Sequence, residues 1–266
     1  FSHKMQTVAH ELLTNPPVDL DETRRLDLTH LKVYTIDDES TQEIDDGLSL
    51  EVLPDGRQKL WIHIADPTRL LSPEDEFDLE ARKRSVTIYL PDKMIPMFPP
   101  ELATGPMSLR QGHKCCALSF GVILDANGAV AEYQIATSTI EPTYRPTYED
   151  VEEMPQLRIP AEVEIESLAT AAKLRNRWRL SQGSININMP ESTVKVIAGQ
   201  VSIDLIEDNR ARRLVAEMMI LAGEVAAKYG QDNSLPLPYR GQPQPELPPE
   251  EELILIPVGP GRSCAI

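Results

Sequence analysis

The chain has 266 residues, 41% of them hydrophobic and 26% charged, enough for a sizeable core in one large or two ordinary domains. Its formal net charge of −16 argues against a nucleic-acid binder that works through a basic face, although local patches, not totals, control association. No run of eighteen apolar residues and no charged-then-apolar leader occurs, so neither a membrane span nor a secretory signal is expected.

In chain order, residues 4–13 predict a short amphipathic helix, followed by a polar link to about residue 30. Strand signals come at 32–36 and 48–53. An Asp55-Gly56 turn leads into "QKLWIHIA" (58–65), which closes a hairpin. Pro73, Glu74 and Asp75 open a helix reaching about residue 83, and "SVTIYLP" (85–91) reads as a buried strand. A loop rich in Pro and Met crosses 91–107. "CCALSFGVIL" and "AVAEYQIATSTI" flank an Asn127-Gly128 turn, a second hairpin.

Beyond it, helical spacing at 161–180 sets Ile165, Leu168, Ala172 and Trp178 near one face. A third hairpin turns at Gly199 within 193–206. The last helix, about 209–229, carries Ala211, Leu214, Val215, Met218, Ala222, Val225, Ala226 and Tyr229 at helical intervals. Six prolines within 236–249 predict an extended or looped tail. Hairpins alternating with helices predict a mixed α/β (α+β) fold with a largely antiparallel sheet. Residues 1–30 form a helix and linker, and 31–266 form the main domain. The chain begins at Phe1 without Met and stops within "GRSCAI", which reads as a piece of something longer.

Three cysteines, with Cys115 and Cys116 adjacent, predict no disulfide framework and a reducing, cytoplasmic setting. The Cys/His spacing fits no zinc pattern. Three basic groups stand out: 82–84, then Arg175, Arg177 and Arg179, then Arg210, Arg212 and Arg213. Each is read as a solvated face or a helix end.

The stretch "TIDDESTQEIDDGL" (35–48) departs from ordinary surface composition. Six carboxylates fall within residues 37–46, and no Lys or Arg occurs from 33 to 56. Like charges at 4 Å repel by about 1 kcal/mol in water and by several times that near a protein surface. The loop between the two strands gathers Asp37, Glu43, Asp45 and Asp46 around one small volume. Carboxylates without nitrogen or sulfur partners suit a hard cation such as Mg2+, Mn2+ or Ca2+, and Mg2+ can orient an attacking water at a phosphodiester. An EF-hand calcium loop is excluded, because Gln42 and Leu48 occupy the positions that require Gly and Glu. The other reading is an acidic solvated loop with no ligand.

"YTIDDESTQEIDDGLSL" resembles the catalytic signature of the RNase II / RNB family of 3′→5′ exoribonucleases. The likeness continues through "WIHIADPTRLL" (61–71), "EARKRSVTIYLPDKMIPMFPPEL" (80–102), "SLRQGHKCCALSF" (108–120) and "RRLVAEMMILAGEVAA" (212–227). It implies a barrel-like sheet surrounded by helices, and Mg2+-dependent hydrolysis of single-stranded RNA to nucleoside 5′-monophosphates. By position, it implies that Asp37, Glu43, Asp45 and Asp46 are the catalytic and metal-binding acids. Glu43 stands where the family usually has Asp, and Gly47 where it commonly has Ala. The resemblance makes Tyr89 the aromatic that stacks on a base, worth about 1–3 kcal/mol.

It also makes Glu217 the contact to the terminal ribose. A salt bridge from Glu217 to Arg213 is the alternative reading. Asp66 reads either as part of the wider site or as a strand-end turn acid. An arginine-bearing segment and flanking cold-shock and OB-type RNA-binding domains are expected outside this chain, and Gln242 occupies a usual His position in "YRGQ". Two rival readings remain: an RNA-binding or regulatory paralogue that has lost turnover, and a metal-buffering acidic domain.

Overall fold

A computed structural model describes residues 1–157, 162–186, 191–197, 199–206 and 208–239; the tail predicted from Pro spacing lies mostly outside them, as does Gln242. In chain order the elements are α1 (His3–Thr14), β1 (Leu26–Asp27), β2 (Val33–Tyr34), β3 (Asp46–Val52), β4 (Gln58–Ala65) and α2 (Glu76–Arg84). There follow β5 (Ile88–Tyr89), β6 (Met94–Ile95), α3 (Pro100–Ala103), β7 (Cys115–Leu124), β8 (Val130–Ile140) and β9 (Pro142–Tyr144). The chain continues through α4 (Tyr148–Leu157), α5 (Glu162–Ser181), β10 (Glu191–Ile197), β11 (Gln200–Ile206) and α6 (Arg210–Asp232).

Seven strands form one sheet in the order β1-β8-β7-β4-β3-β2-β9. It is curled into a half-barrel, left open because its edge strands, β1 and β9, do not pair. The central pairings are antiparallel, as the hairpin turns require, but β1 joins β8 and β9 joins β2 in parallel, so the sheet is not wholly antiparallel. The turn at Gly128 (φ +94°) is left-handed and presses on α5: an added Cβ would lie 2.8 Å from the Leu174 carbonyl oxygen. Only glycine meets both conditions without strain.

One face of the sheet buries Tyr34, Leu48, Leu60, Ile62 and Phe120 against Leu168 of α5 and Leu214, Met218 and Leu221 of α6. The helical spacing of those apolar residues is what binds α5 and α6 to the sheet. Val33, Trp61, Ala117 and Ile140 form a second cluster, and Trp61 packs over Gly121 opposite it on β7. A third cluster joins α1 to the rest, with Met5 and Ala9 against Leu70, Phe77 and Leu102. Among the described residues no helix is long and apolar enough to cross a membrane.

Two expectations need correction, and one helix was not foreseen. Residues 85–91 are not a buried strand: only Ile88 and Tyr89 are extended, they pair with Met94 and Ile95 in a separate hairpin, and both are exposed. The apolar run lacks a layer to cover it. Helix α4 had no expectation of its own, since its apolar residues are few. The arginines at 175–179 do not share a solvated face. Arg175 is fully buried, donating to the Gly128 carbonyl (2.6 Å) and to Glu224 (2.5 Å) and lying over the Trp178 ring at 4.4 Å. A buried guanidinium is tolerable only with such partners.

Candidate active site

The acidic loop is anchored at both ends by backbone bonds. At its start the Asp37 amide donates to the Pro146 carbonyl, and Asp37 bridges to Thr147 just before α4. At its exit Asp46 enters β3 opposite Ile64, and the Asp45 carbonyl accepts from the Ala65 amide at 2.8 Å. Between these points the Ile44 amide donates to Ser108 Oγ and the Ile44 carbonyl accepts from the Leu109 amide, both at 2.8 Å. Ile44 is buried, Glu43 is half-buried and Asp45 is exposed. The ends of the loop and Ile44 are therefore held in place, while Asp38, Glu39 and Asp45 remain exposed.

The four acids feel one another. Burial, then the charges of Asp37 and Asp45, push the Asp46 carboxyl up to about 7. Burial, then Glu43 and Asp37, push Asp45 up to about 6. Asp45 still reaches water, which screens part of that effect, so Asp46 is the more firmly perturbed. Asp37 Oδ1 accepts from Thr41 Oγ1 (2.9 Å) and from the Asp38 amide (2.7 Å). Asp46 Oδ2 and Glu43 Oε1 are buried without a hydrogen-bond partner. An unsatisfied buried carboxylate oxygen is costly, and a hard cation is the partner its chemistry fits.

Among the described residues no group of three or more Asp, Glu, His or Cys side chains stands arranged to hold a metal ion. A closed cage suits Ca2+. Mg2+ is typically held by one or two carboxylates and completes its shell with water and substrate phosphate, so open, negative, partly orphaned acids suit it better.

Tyr89 stands beside this loop on the exposed hairpin. It is 63% exposed, and its hydroxyl lies 3.5 Å from Glu43 Oε2. Burial and the charges of Glu43, Asp45 and Asp37 raise its phenol above the usual range. With that exposure Tyr89 is not a core residue, and it stands within reach of Glu43.

Glu217 lies on α6, and its carboxylate is already engaged. Arg179 of α5 donates to both oxygens (2.5 and 3.0 Å) and Asn176 adds a bond of 2.8 Å. The alternative pairing with Arg213 is not made; Arg213 turns to Asp208 instead. One helical turn separates residues 213 and 217, but packing of α5 against α6 decides the partner. Asp66 stands just before a short 3-10 turn without a side-chain capping bond and pairs with Arg25 at 3.0 Å.

Three further neighbours of the acid loop were not assigned to the site from sequence. Tyr148 is pushed up to about 12 by burial and by Asp37 and Asp46. Arg212 lies over its ring at 4.1 Å and pairs with Asp38 at 2.7 Å, bringing the start of α6 to the loop. Thr87 donates to Glu43 Oε2 at 3.1 Å.

A half-barrel whose acidic β2–β3 loop faces an exposed tyrosine defines a class, and comparison with known proteins agrees: the RNB domain family matches residues 25–256, and the chain belongs to it. It is 63% identical, over its full length, to an uncharacterized ribonuclease of Synechocystis, of which it spans 40%. It is 44% identical over 98% of its length to ribonuclease II, chloroplastic/mitochondrial, of Arabidopsis thaliana, spanning 33% of that protein. The chain thus covers well under half of these relatives. Among solved structures, Mycoplasma genitalium RNase R in complex with ribose-methylated single-stranded RNA shares the fold, with a TM-score of 0.83 and 23% identity over 92% of this chain and 39% of that one.

Proposed function

We propose that this chain supplies the acidic site of a Mg2+-dependent exoribonuclease that shortens single-stranded RNA from its 3′ end, releasing nucleoside 5′-monophosphates. The observation that carries the reading is the pair of buried, unpartnered oxygens, Asp46 Oδ2 and Glu43 Oε1, in a loop beside the exposed ring of Tyr89. The relatives named ribonucleases supply the reaction class.

Asp37, Glu43, Asp45 and Asp46 would hold the ion, with Mn2+ as an alternative. A divalent cation held there would offset part of the loop's negative charge and polarise the last phosphodiester. Tyr89 stacks on a base near the end and so fixes the strand's register. The carboxylates orient water against the phosphorus; a P–O bond forms to that water, the bond to the upstream 3′-oxygen breaks, and the 3′-oxygen takes a proton. The net charge of −16 means that this chain contributes little general phosphate attraction, so OB-type modules elsewhere in the full protein are the expected source.

The test is digestion of 5′-labelled single-stranded RNA by the full natural protein, with and without EDTA. Stepwise shortening that EDTA abolishes and Asp45→Asn reduces by two or more orders of magnitude is expected. Tyr89→Ala should leave folding intact and shift the length of the smallest products. Undiminished cleavage by Asp45→Asn removes the assignment. Tight RNA binding without any cleavage by the wild type points instead to a regulatory paralogue.

A further inference from the structure

We infer that Thr87 is a positioning residue for Glu43: it fixes one carboxylate oxygen so that the other is presented to the divalent cation, and it does so from the hairpin that carries Tyr89. The inference rests on the metal-dependent nuclease reading above.

Direction follows from proton counting. The Met97 amide lies 3.0 Å from Thr87 Oγ1 and can only donate, so the hydroxyl accepts there. Its single proton is left for Glu43 Oε2, 3.1 Å away. The Tyr89 hydroxyl approaches the same oxygen from 3.5 Å. Oε2 therefore faces the β5–β6 hairpin, while Oε1 is the buried oxygen with no partner. The two oxygens of one carboxylate have been given different work by their surroundings.

Glu43 needs such help more than an aspartate does. Its side chain has one more rotatable bond, so ordering it costs additional conformational entropy. The main chain is already held at the next residue, because the Ile44 amide and carbonyl are both bonded to the 108–109 segment. With the backbone held there and Oε2 engaged, little freedom remains for Oε1. Partners of metal-binding carboxylates commonly set their orientation, and losing one costs about 10–100-fold in metal affinity.

A purely structural hydrogen bond would also occupy the Thr87 hydroxyl, so the test must read metal directly. In the full natural protein without RNA, Mn2+ is titrated calorimetrically into wild type, Thr87→Val, Thr87→Ser and Glu43→Gln with and without Thr87→Val. The expected result is about 10-fold weaker Mn2+ binding for Thr87→Val, recovery to within about twofold for Thr87→Ser, and no added loss from Thr87→Val when Glu43 is already Gln. The half-saturating Mg2+ for cleavage should shift in step. Wild-type binding that Thr87→Val leaves unchanged overturns the role of Thr87 alone, and so does equal weakening by Thr87→Ser. No Mn2+ binding by the wild type overturns the metal reading itself.

Discussion

Arg179 grips both oxygens of Glu217, with Nη2 at 2.5 Å from Oε1 and Nε at 3.0 Å from Oε2. The two residues belong to different helices, and Glu217 is only 6% exposed. Removing one member of a buried pair strands the other charge. Arg179→Ala is therefore expected to lower stability by on the order of 2–4 kcal/mol, read from urea unfolding. A loss below about half a kcal/mol would mean that Asn176 alone satisfies the carboxylate. Joint replacement, Arg179→Met with Glu217→Met, should recover most of the loss.

Metal should act on stability through Asp46. Its carboxyl is raised to about 7 in the folded chain, against 3.8 as the ordinary value, so the folded state holds a proton that the unfolded state has lost. Stability from this group is present at low pH and disappears as pH rises from about 4 to 7. At pH 8 without metal, Asp46→Asn should therefore melt above the wild type. Millimolar Mg2+ should then raise the wild-type melting temperature and leave the variant nearly unmoved; an ion at 100 times its dissociation constant contributes about 2.7 kcal/mol. Equal gains in both proteins would exclude Asp46 as a ligand.

His63 gives the opposite pH response. It is fully buried on β4, with Ser49 Oγ 2.9 Å from Nε2 and Ser119 Oγ 2.7 Å from Nδ1, and burial lowers it to about 3. Unfolded, it takes up a proton near pH 6.5, so its contribution is complete above that pH and is lost as pH falls toward 3. Between pH 6 and 4.5 the stability of His63→Gln should depend on pH less steeply than that of wild type, by up to about 1.4 kcal/mol per pH unit. Chemical denaturation at several pH values measures the difference. Parallel slopes would show that the imidazole accepts a proton in place.

Gly47 is fixed by close approach. A Cβ there would lie 2.9 Å from Val33 Cγ1 and 3.4 Å from Thr35 Cγ2. Val33 is buried and stiff at its branched carbon, so an alanine at position 47 is not neutral here. Gly47→Ala alone should cost about 1–3 kcal/mol, and adding Val33→Ala should relieve much of it. Thermal melts of the two variants settle the point.

Much of this architecture was legible in one dimension. Asn127-Gly128 and Asp55-Gly56 mark turns because their backbone preferences are local, and alternation placed β3, β4, β7 and β8 around them. The run of acids that includes Asp37, Glu43, Asp45 and Asp46 was visible for the same reason, since all lie within residues 37–46. Residues 85–91 misled because an apolar run does not say whether another layer will cover it.

What the chain order determined by itself was the set of turns, the helical stripes and the unbalanced negative loop, all properties of residues a few positions apart. Tertiary packing alone decided that Glu217 would find Arg179, 38 residues away, instead of Arg213 one turn back. It also decided that Thr87 would reach Glu43 across 44 residues and that Arg175 would be buried. Those pairings depend on how helices and hairpins settle against a common sheet. No periodicity encodes that relation, because it is fixed by the shape of surfaces that exist only after the chain has folded.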